Sequence, residues 1–195
     1  MEPPDNVELI HSVARRDREA FEALYYRYAP RLGRYAFKLL QKREAVDEVI
    51  NDAMLVAWQN AARFDEKIST VSAWLYGITH NKVIKMLDRT KRGAREEPAE
   101  QIEPAADLMN LPLRDPEREA MGRQLGAALL HALSRLPAEQ RAVIELAFGE
   151  GQSYQEIAQV MGCPVNTVKT RMFHARKRLS GYLAEESEPG RSGLP

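Results

Sequence analysis

Residues 153–179 read SYQEIAQVMGCPVNTVKTRMFHARKRL, and this stretch predicts two helices joined by a tight corner. Ser153, followed three residues later by Glu156, has the pattern of a capping box, so the first helix is expected to begin just after it. Gly162 permits a reversal of the backbone, and Pro164 suits the first turn of a second helix. The stretch therefore predicts a helix-turn-helix.

The second of these helices has an outward face suited to nucleic acid. Apolar residues at helical spacing predict its buried stripe: Val165, Val168, Met172, Ala175 and Leu179. The side chains left facing outward are Asn166, Thr167, Lys169, Thr170, Arg171, Phe173, His174, Arg176 and Lys177, and no acid occurs between Pro164 and Tyr182. A helix-turn-helix places such a face in the major groove, among base edges and phosphates. An ordinary helical hairpin with a solvated basic face is the alternative.

The charges of the chain are segregated although its formal net charge is zero. One basic stretch holds Lys82, Lys85, Arg89, Lys91, Arg92 and Arg95 against the single acid Asp88, and a separate acidic cluster holds Glu44, Asp47, Glu48 and Asp52. Two basic surfaces and one acidic surface suggest one polyanionic partner and one basic partner. Solvated faces without a partner are the other interpretation.

The spacing of apolar residues predicts an all-α protein with two small helical domains. The first spans residues 5–92, with a kink or a new helix expected at Pro30. Residues 93–117 are rich in proline and lack helical periodicity, which indicates a flexible linker. The second domain spans 118–184, and a disordered tail is expected over 185–195.

Nothing in the chain indicates catalysis, a metal or a cofactor. The four histidines are scattered, Cys163 is the only cysteine, and there is no glycine-rich phosphate loop. No apolar run is long enough to span a bilayer, and the start MEPPDNVELI lacks a signal-peptide core. We therefore expect a cytoplasmic protein that is not an enzyme and does not insert into a membrane.

Four segments in order resemble the extracytoplasmic-function (ECF) group of bacterial sigma factors in the sigma-70 family. FEALYYRYAPRLGRYA (21–36) resembles the start of the family's domain 2, and VDEVINDAMLVAWQNAARFD (46–65) resembles its polymerase-docking helix. WLYGITHN (74–81) is similar to the promoter −10 region. LPAEQRAVIEL (136–146), together with residues 153–179, resembles domain 4.

The resemblance implies a function for each surface. The protein would bind core RNA polymerase and direct promoter-specific initiation. Residues expected to dock on the basic clamp helices of the β′ subunit are Asp47, Glu48, Asn51 and Asp52. The loop 64–70 and the helix after it would engage the −10 element and capture a flipped base, through Trp74, His80, Asn81, Lys82 and Lys85. The −35 element would be read by Asn166, Thr167, Lys169, Thr170, Arg171, His174 and Arg176.

The resemblance also implies partners, and two rival classes stay open beside it. The expected partners are core polymerase (β′ clamp helices and β flap), promoter DNA and an anti-sigma factor that holds the protein inactive. A stand-alone helix-turn-helix regulator would explain the hairpin equally well, and a decoy that mimics sigma surfaces is a third class. The acidic helix and the basic helix within one domain favour the sigma factor.

Overall fold

The computed structural model describes residues 5–93 and 126–187, which form helices joined by short turns, with no strand in those two ranges. The helices are α1 (Asn6–Ala14), α2 (Arg18–Leu40), α3 (Arg43–Asn60), α4 (Val71–Gly93), α5 (126–134), α6 (Ala138–Ile144), α7 (Tyr154–Met161) and α8 (Val165–Ser187). The predicted all-α class is confirmed. The predicted linker after residue 93 and the start of the second domain lie outside the described residues.

Two sequence-based expectations need correction. Helix α2 runs without interruption through Pro30, so of the two expected alternatives, a kink or a new helix, the new helix does not occur. A proline inside a helix costs about 3 kcal/mol, and the burial of Ala29 and Leu32 on either side offsets that cost. Helix α8 continues to Ser187, so residues 185–187 are helical and do not belong to a disordered tail. Residues 188–195 lie outside the described part of the chain.

The first helical unit consists of α1 to α4, and tyrosines fill much of its core. Tyr28, Tyr35 and Tyr76 are almost fully buried, and the rings of Tyr35 and Tyr76 meet edge to face with centroids 5.4 Å apart. Two of the tyrosines of α2, Tyr28 and Tyr35, therefore belong to the core. Tyr26 is the exception, with 71% of its surface exposed. The edge-to-face contact adds roughly 0.5–1.5 kcal/mol to the burial of these rings.

The second unit, α5 to α8, is built around the helix-turn-helix. Helix α6 ends in a single π turn over Glu145–Gly149, which directs the chain towards α7. Leu146, Ile157 and Val168 are fully buried between α6, α7 and α8. This packing presents the opposite face of α8 to solvent.

The two units pack directly on each other, which the sequence does not predict. Helix α4 lies against α7, and α2 lies against α6 and the π turn. At Gly77 a Cβ atom would be 3.7 Å from the Cα of Val160, so the backbones of α4 and α7 approach closely. The buried apolar residues of the two units form one continuous cluster.

Candidate nucleic-acid interface

The helix-turn-helix forms as its local sequence predicts. The Ser153 hydroxyl accepts a bond from the Glu156 amide at 3.3 Å, and the Glu156 carboxylate accepts one from the Ser153 amide at 2.9 Å. This is the predicted capping box, and Gly162 closes α7 with a left-handed φ of 59°. Burial opposes ionisation of Glu156, but hydrogen bonds from Ser153 and Thr70 outweigh it and lower the pKa of that carboxyl. An ionised Glu156 therefore fixes the start of α7.

The outward face of α8 is exposed as predicted. Val168, Met172 and Ala175 are buried on its inner side. The residues that lie exposed on the outer side are Asn166, Lys169, Thr170, Phe173, His174, Arg176 and Lys177. Thr167 is half-buried, and the Thr170 hydroxyl donates to the Asn166 carbonyl at 3.0 Å. The described part of this face is free of acids on α8 itself from Val165 to Tyr182.

Arg171 differs from the rest of this set, because its side chain is only 23% exposed. Its guanidinium forms an ion pair with Glu139 of α6 at 2.7 Å, and its Nη1 lies 3.6 Å from the Cys163 Sγ in the corner. These contacts tie α8 to α6 and to the turn. To contact a base, the Arg171 guanidinium would first have to release the Glu139 carboxylate.

On α4, the structure brings some of the predicted −10 residues to the surface but not all of them. Asn81 and Lys85 are exposed, Lys82 is partly exposed, and Trp74 is half-buried with its ring edge to face on Phe64 at 5.7 Å. These four lie along one stretch of a single helix. They remain available as a predicted contact surface for nucleic acid.

The prediction that His80 lies on that surface is wrong in this conformation, because only 5% of the residue's surface is exposed. Its Nδ1 lies 2.7 Å from the Tyr35 hydroxyl inside the core. Burial, and then the positive charge of Arg171, lower the pKa of His80 to about 4. A signal for this was present in the sequence, because His80 stands four residues after Tyr76 and three before Val83, which are both buried.

The acidic face of α3 is exposed and adjoins the basic face of α4. Asp47, Glu48, Asn51 and Asp52 all lie on the surface. The Asp52 carboxylate pairs with the Lys82 ammonium at 2.8 Å, and Glu48 accepts from the Arg89 guanidinium at 3.0 Å. The sequence predicts two separate patches, and the structure joins them through ion pairs. Beside them, α2 and α3 enclose an open groove lined by Tyr25, Tyr26, Ala29, Pro30, Gly33, Val46, Asp47, Ile50 and Asn51.

Sequence reasoning placed Phe173 on the outward face of α8 but missed Phe148 beside it. Phe173 is 63% exposed and Phe148 is 67% exposed, and the Arg176 guanidinium lies 5.9 Å from the Phe148 ring centroid. The helical period places Phe173 outside, but only the fold brings Phe148 next to α8. An exposed phenylalanine on such a helix can contact the methyl group of thymine.

Among residues 5–93 and 126–187, no group of three or more His, Cys, Asp or Glu side chains is arranged to hold a metal ion. Within the same ranges, no helix combines the length and hydropathy that a membrane span needs.

Comparison with known proteins identifies both helical units. Residues 24–93 match the family model for sigma-70 region 2, and residues 126–179 match the model for sigma-70 region 4. The chain is 30% identical over 171 residues to the ECF RNA polymerase sigma factor RpoE of Cereibacter sphaeroides, covering 87% of this chain and 89% of that one. It is 34% identical over 181 residues to the ECF RNA polymerase sigma factor SigM of Mycobacterium tuberculosis, covering 91% and 86%.

Solved structures agree with this assignment. The fold is similar to that of the sigma factor RpoE in complex with the anti-sigma factor NepR from Bartonella quintana, with a TM-score of 0.68, 25% identity and 84% and 96% of the two chains covered. It is also similar to CnrH in complex with the cytosolic domain of CnrY, with a TM-score of 0.65, 25% identity and coverage of 92% and 97%. The chain carries an exposed, acid-free helix in a helix-turn-helix, and an acidic helix paired with a basic one. By these matches, it belongs to the ECF group of RNA polymerase sigma factors.

Proposed function

We propose that this sigma factor uses three surfaces to direct initiation. Helix α8 reads the −35 element, α4 with the loop 64–70 engages the −10 element, and the exposed acids of α3 dock on core polymerase. In this proposal residues 5–92 and 118–184 act as the two functional domains, joined by residues 93–117. The protein carries out no chemistry of its own, and it works in the cytoplasm together with core polymerase.

The observation that carries the proposal most directly is the face of α8. Lys169, Arg176 and Lys177 supply three exposed cations there, beside the amide of Asn166 and the hydroxyl of Thr170. Cations fix the position of a helix on the phosphates, and amides and hydroxyls discriminate base edges. Phe173 adds an apolar contact of the kind that recognises thymine. A solvated surface would not require all of these groups on one acid-free stripe.

Docking on polymerase is supported by charge and exposure. Asp47, Glu48 and Asp52 form an acidic ridge along α3, and the neighbouring groove exposes the ring of Tyr26. Exposed aromatic rings beside charged residues are common at protein interfaces. The ridge fits a basic partner surface such as the clamp helices of the β′ subunit. The β flap is the second proposed contact with polymerase, on the domain that contains α8.

An anti-sigma factor is proposed as a further partner. One similar solved structure is of a sigma factor in complex with an anti-sigma factor, and the other is of CnrH in complex with the cytosolic domain of CnrY. We propose that the partner of this chain covers surfaces of α2, α3 and α8 that polymerase and DNA also use.

The test is transcription in vitro with purified core polymerase, with and without this protein, on a library of genomic fragments from the host. Discrete start sites that depend on the added protein, with shared sequences near −35 and −10, are the expected result. A stand-alone regulator would bind duplex DNA without giving core-dependent start sites. That outcome would remove the proposed roles of α3 and α4.

A further inference from the structure

Glu139, in the first turn of α6, belongs to none of the three proposed surfaces, yet it holds a residue of α8. Its carboxylate lies 2.7 Å from the Arg171 guanidinium. An acid in the first turn of a helix is stabilised by the helix dipole whether or not it has a partner. The dipole therefore accounts for an acid at this position, but it does not account for the bond to a cation on another helix.

Arg171 lies at the edge of α8, between its buried stripe and its outward face. Thr170 is exposed one residue before it, and Met172 is buried one residue after it. The Arg171 side chain is 23% exposed, and its Nη1 also lies 3.6 Å from the Cys163 Sγ in the corner of the helix-turn-helix. The guanidinium thus joins the start of α6, the corner and α8.

The environment of His80 also shows which way the Arg171 side chain points. Burial is the main cause of the low pKa of His80, and the charge of Arg171 is the second cause. His80 itself is buried on α4. The guanidinium therefore lies on the side of α8 that is turned towards the protein, and not on the side that is available to DNA.

An ion pair at this place can fix the rotation of α8 about its own axis. Val168, Met172 and Ala175 pack α8 on its neighbours, but burial of apolar surface is not directional, whereas a bond between a guanidinium and a carboxylate is. Side-chain ends lie about 6 Å from a helix axis, so a rotation of about 10° moves them by about 1 Å. A shift of that size breaks a hydrogen bond to a base edge.

We propose that Glu139 is a positioning residue for −35 recognition, which fixes the rotation of α8 against α6 through its ion pair with Arg171. Arg171 acts through this pair, and the contacts with bases belong to the exposed side chains of α8. Glu139 matters for promoter recognition only if α8 reads the −35 element, so the inference rests on the proposed function.

Neutral substitutions on both sides of the pair test this role in the complex with core polymerase. Glu139→Gln and Arg171→Gln each remove one charge, and the double variant removes both. The Glu139 carboxylate is 59% exposed, and pairs with an exposed partner contribute little to stability, so all three variants should fold. Glu185→Gln is the matched control, because Glu185 forms a similar exposed pair with Arg135 at 2.9 Å near the end of α8.

The measured quantity is discrimination between promoters in the transcription assay. It is the yield from a promoter identified there, divided by the yield from the same promoter with one −35 base pair changed. Glu139→Gln and Arg171→Gln should each reduce this ratio by at least about threefold, and the double variant should reduce it no further, because both residues act through one bond. The corresponding ratio for a changed −10 base pair should stay at the wild-type value, which a general loss of folding would not spare.

A direct contact of Arg171 with DNA predicts a different pattern. Loss of the Glu139 carboxylate would then free the guanidinium, so Glu139→Gln would raise promoter affinity and Arg171→Gln would lower it. Opposite signs, or losses that multiply in the double variant, would overturn the inference. So would an unchanged −35 ratio in Glu139→Gln, or an equal loss in Glu185→Gln. A wild type that gives no core-dependent initiation, or does not discriminate at −35, would instead contradict the proposed function.

Discussion

Lowering the pH from 7 to 5 is expected to destabilise the first helical unit through the buried His80. The imidazole is hydrogen-bonded to Tyr35 and is kept neutral because burial, and then Arg171, lower the pKa of His80 to about 4. In the unfolded chain the pKa returns to about 6.5. Between these values the unfolded state binds more protons than the native state, so the free energy of unfolding falls as the pH falls.

The magnitude follows from the shift. At pH 5 the unfolded histidine is almost fully protonated and the native one is almost fully neutral, so the loss relative to pH 7 is about 2 kcal/mol. That is a large part of the stability of a small domain. His80→Gln is the matched variant, because an amide can still hydrogen-bond to the Tyr35 hydroxyl but does not titrate. Tyr35 itself stays neutral throughout, since burial raises its pKa well above 10.

The measurement is urea unfolding at pH 7, 6 and 5, followed by the fluorescence of Trp58 and Trp74, both of which lie in the first unit. The wild type should lose about 2 kcal/mol over this range, and His80→Gln should lose clearly less. Glu156, whose pKa is lowered, contributes its stability above its ordinary pKa and loses it only in more acidic solution, equally in both proteins. Equal pH slopes for the two proteins would refute the assignment of the loss to His80.

Three further predictions concern the capping box and the two proposed binding faces. Ser153→Ala should lower the free energy of unfolding by about 1 kcal/mol, because an amide of α7 loses its cap; an unchanged urea midpoint would contradict this. Lys169→Ala should weaken binding to a −35 duplex and reduce the salt slope by about one, as measured by fluorescence anisotropy at several salt concentrations. Arg18→Ala, at an exposed cation of α2, is its control, and equal effects of the two would argue against a specific role of α8. Asp52→Lys should weaken core binding in a pull-down while the helical circular dichroism stays the same, and wild-type affinity would count against docking through α3.

A neutral substitution of Asp52 can separate docking from the internal ion pair of α3 and α4. Asp52 is paired with Lys82, and exposed pairs of this kind contribute about 0–1 kcal/mol to stability. Asp52→Asn should therefore leave the urea midpoint nearly unchanged. If a polymerase cation replaces Lys82 as the partner of Asp52 on docking, the same variant should still weaken core binding.

The features that the sequence determined are those set by neighbours within about one helical turn. The capping box of Ser153 and Glu156, the left-handed Gly162 and the acid-free face of α8 follow from spacings of three and four residues. So does the exposed acidic face of α3. Such patterns depend on the period of the helix, so they specify which side chains lie on the same face whatever packs on the other side.

The tertiary structure decided which partners cover those faces. His80 is buried because Tyr35, 45 residues away, lies against it, and Arg171 is less exposed than the outward residues of α8 because Glu139 of another helix pairs with it. From the sequence, Gly77 is a glycine that lowers the stability of the helix around it. Only the structure shows its packing role, since the backbone of Val160 approaches it closely. Periodicity shows that a face must be buried, but the identity of the covering group depends on contacts between residues far apart in the chain, which a local pattern does not contain.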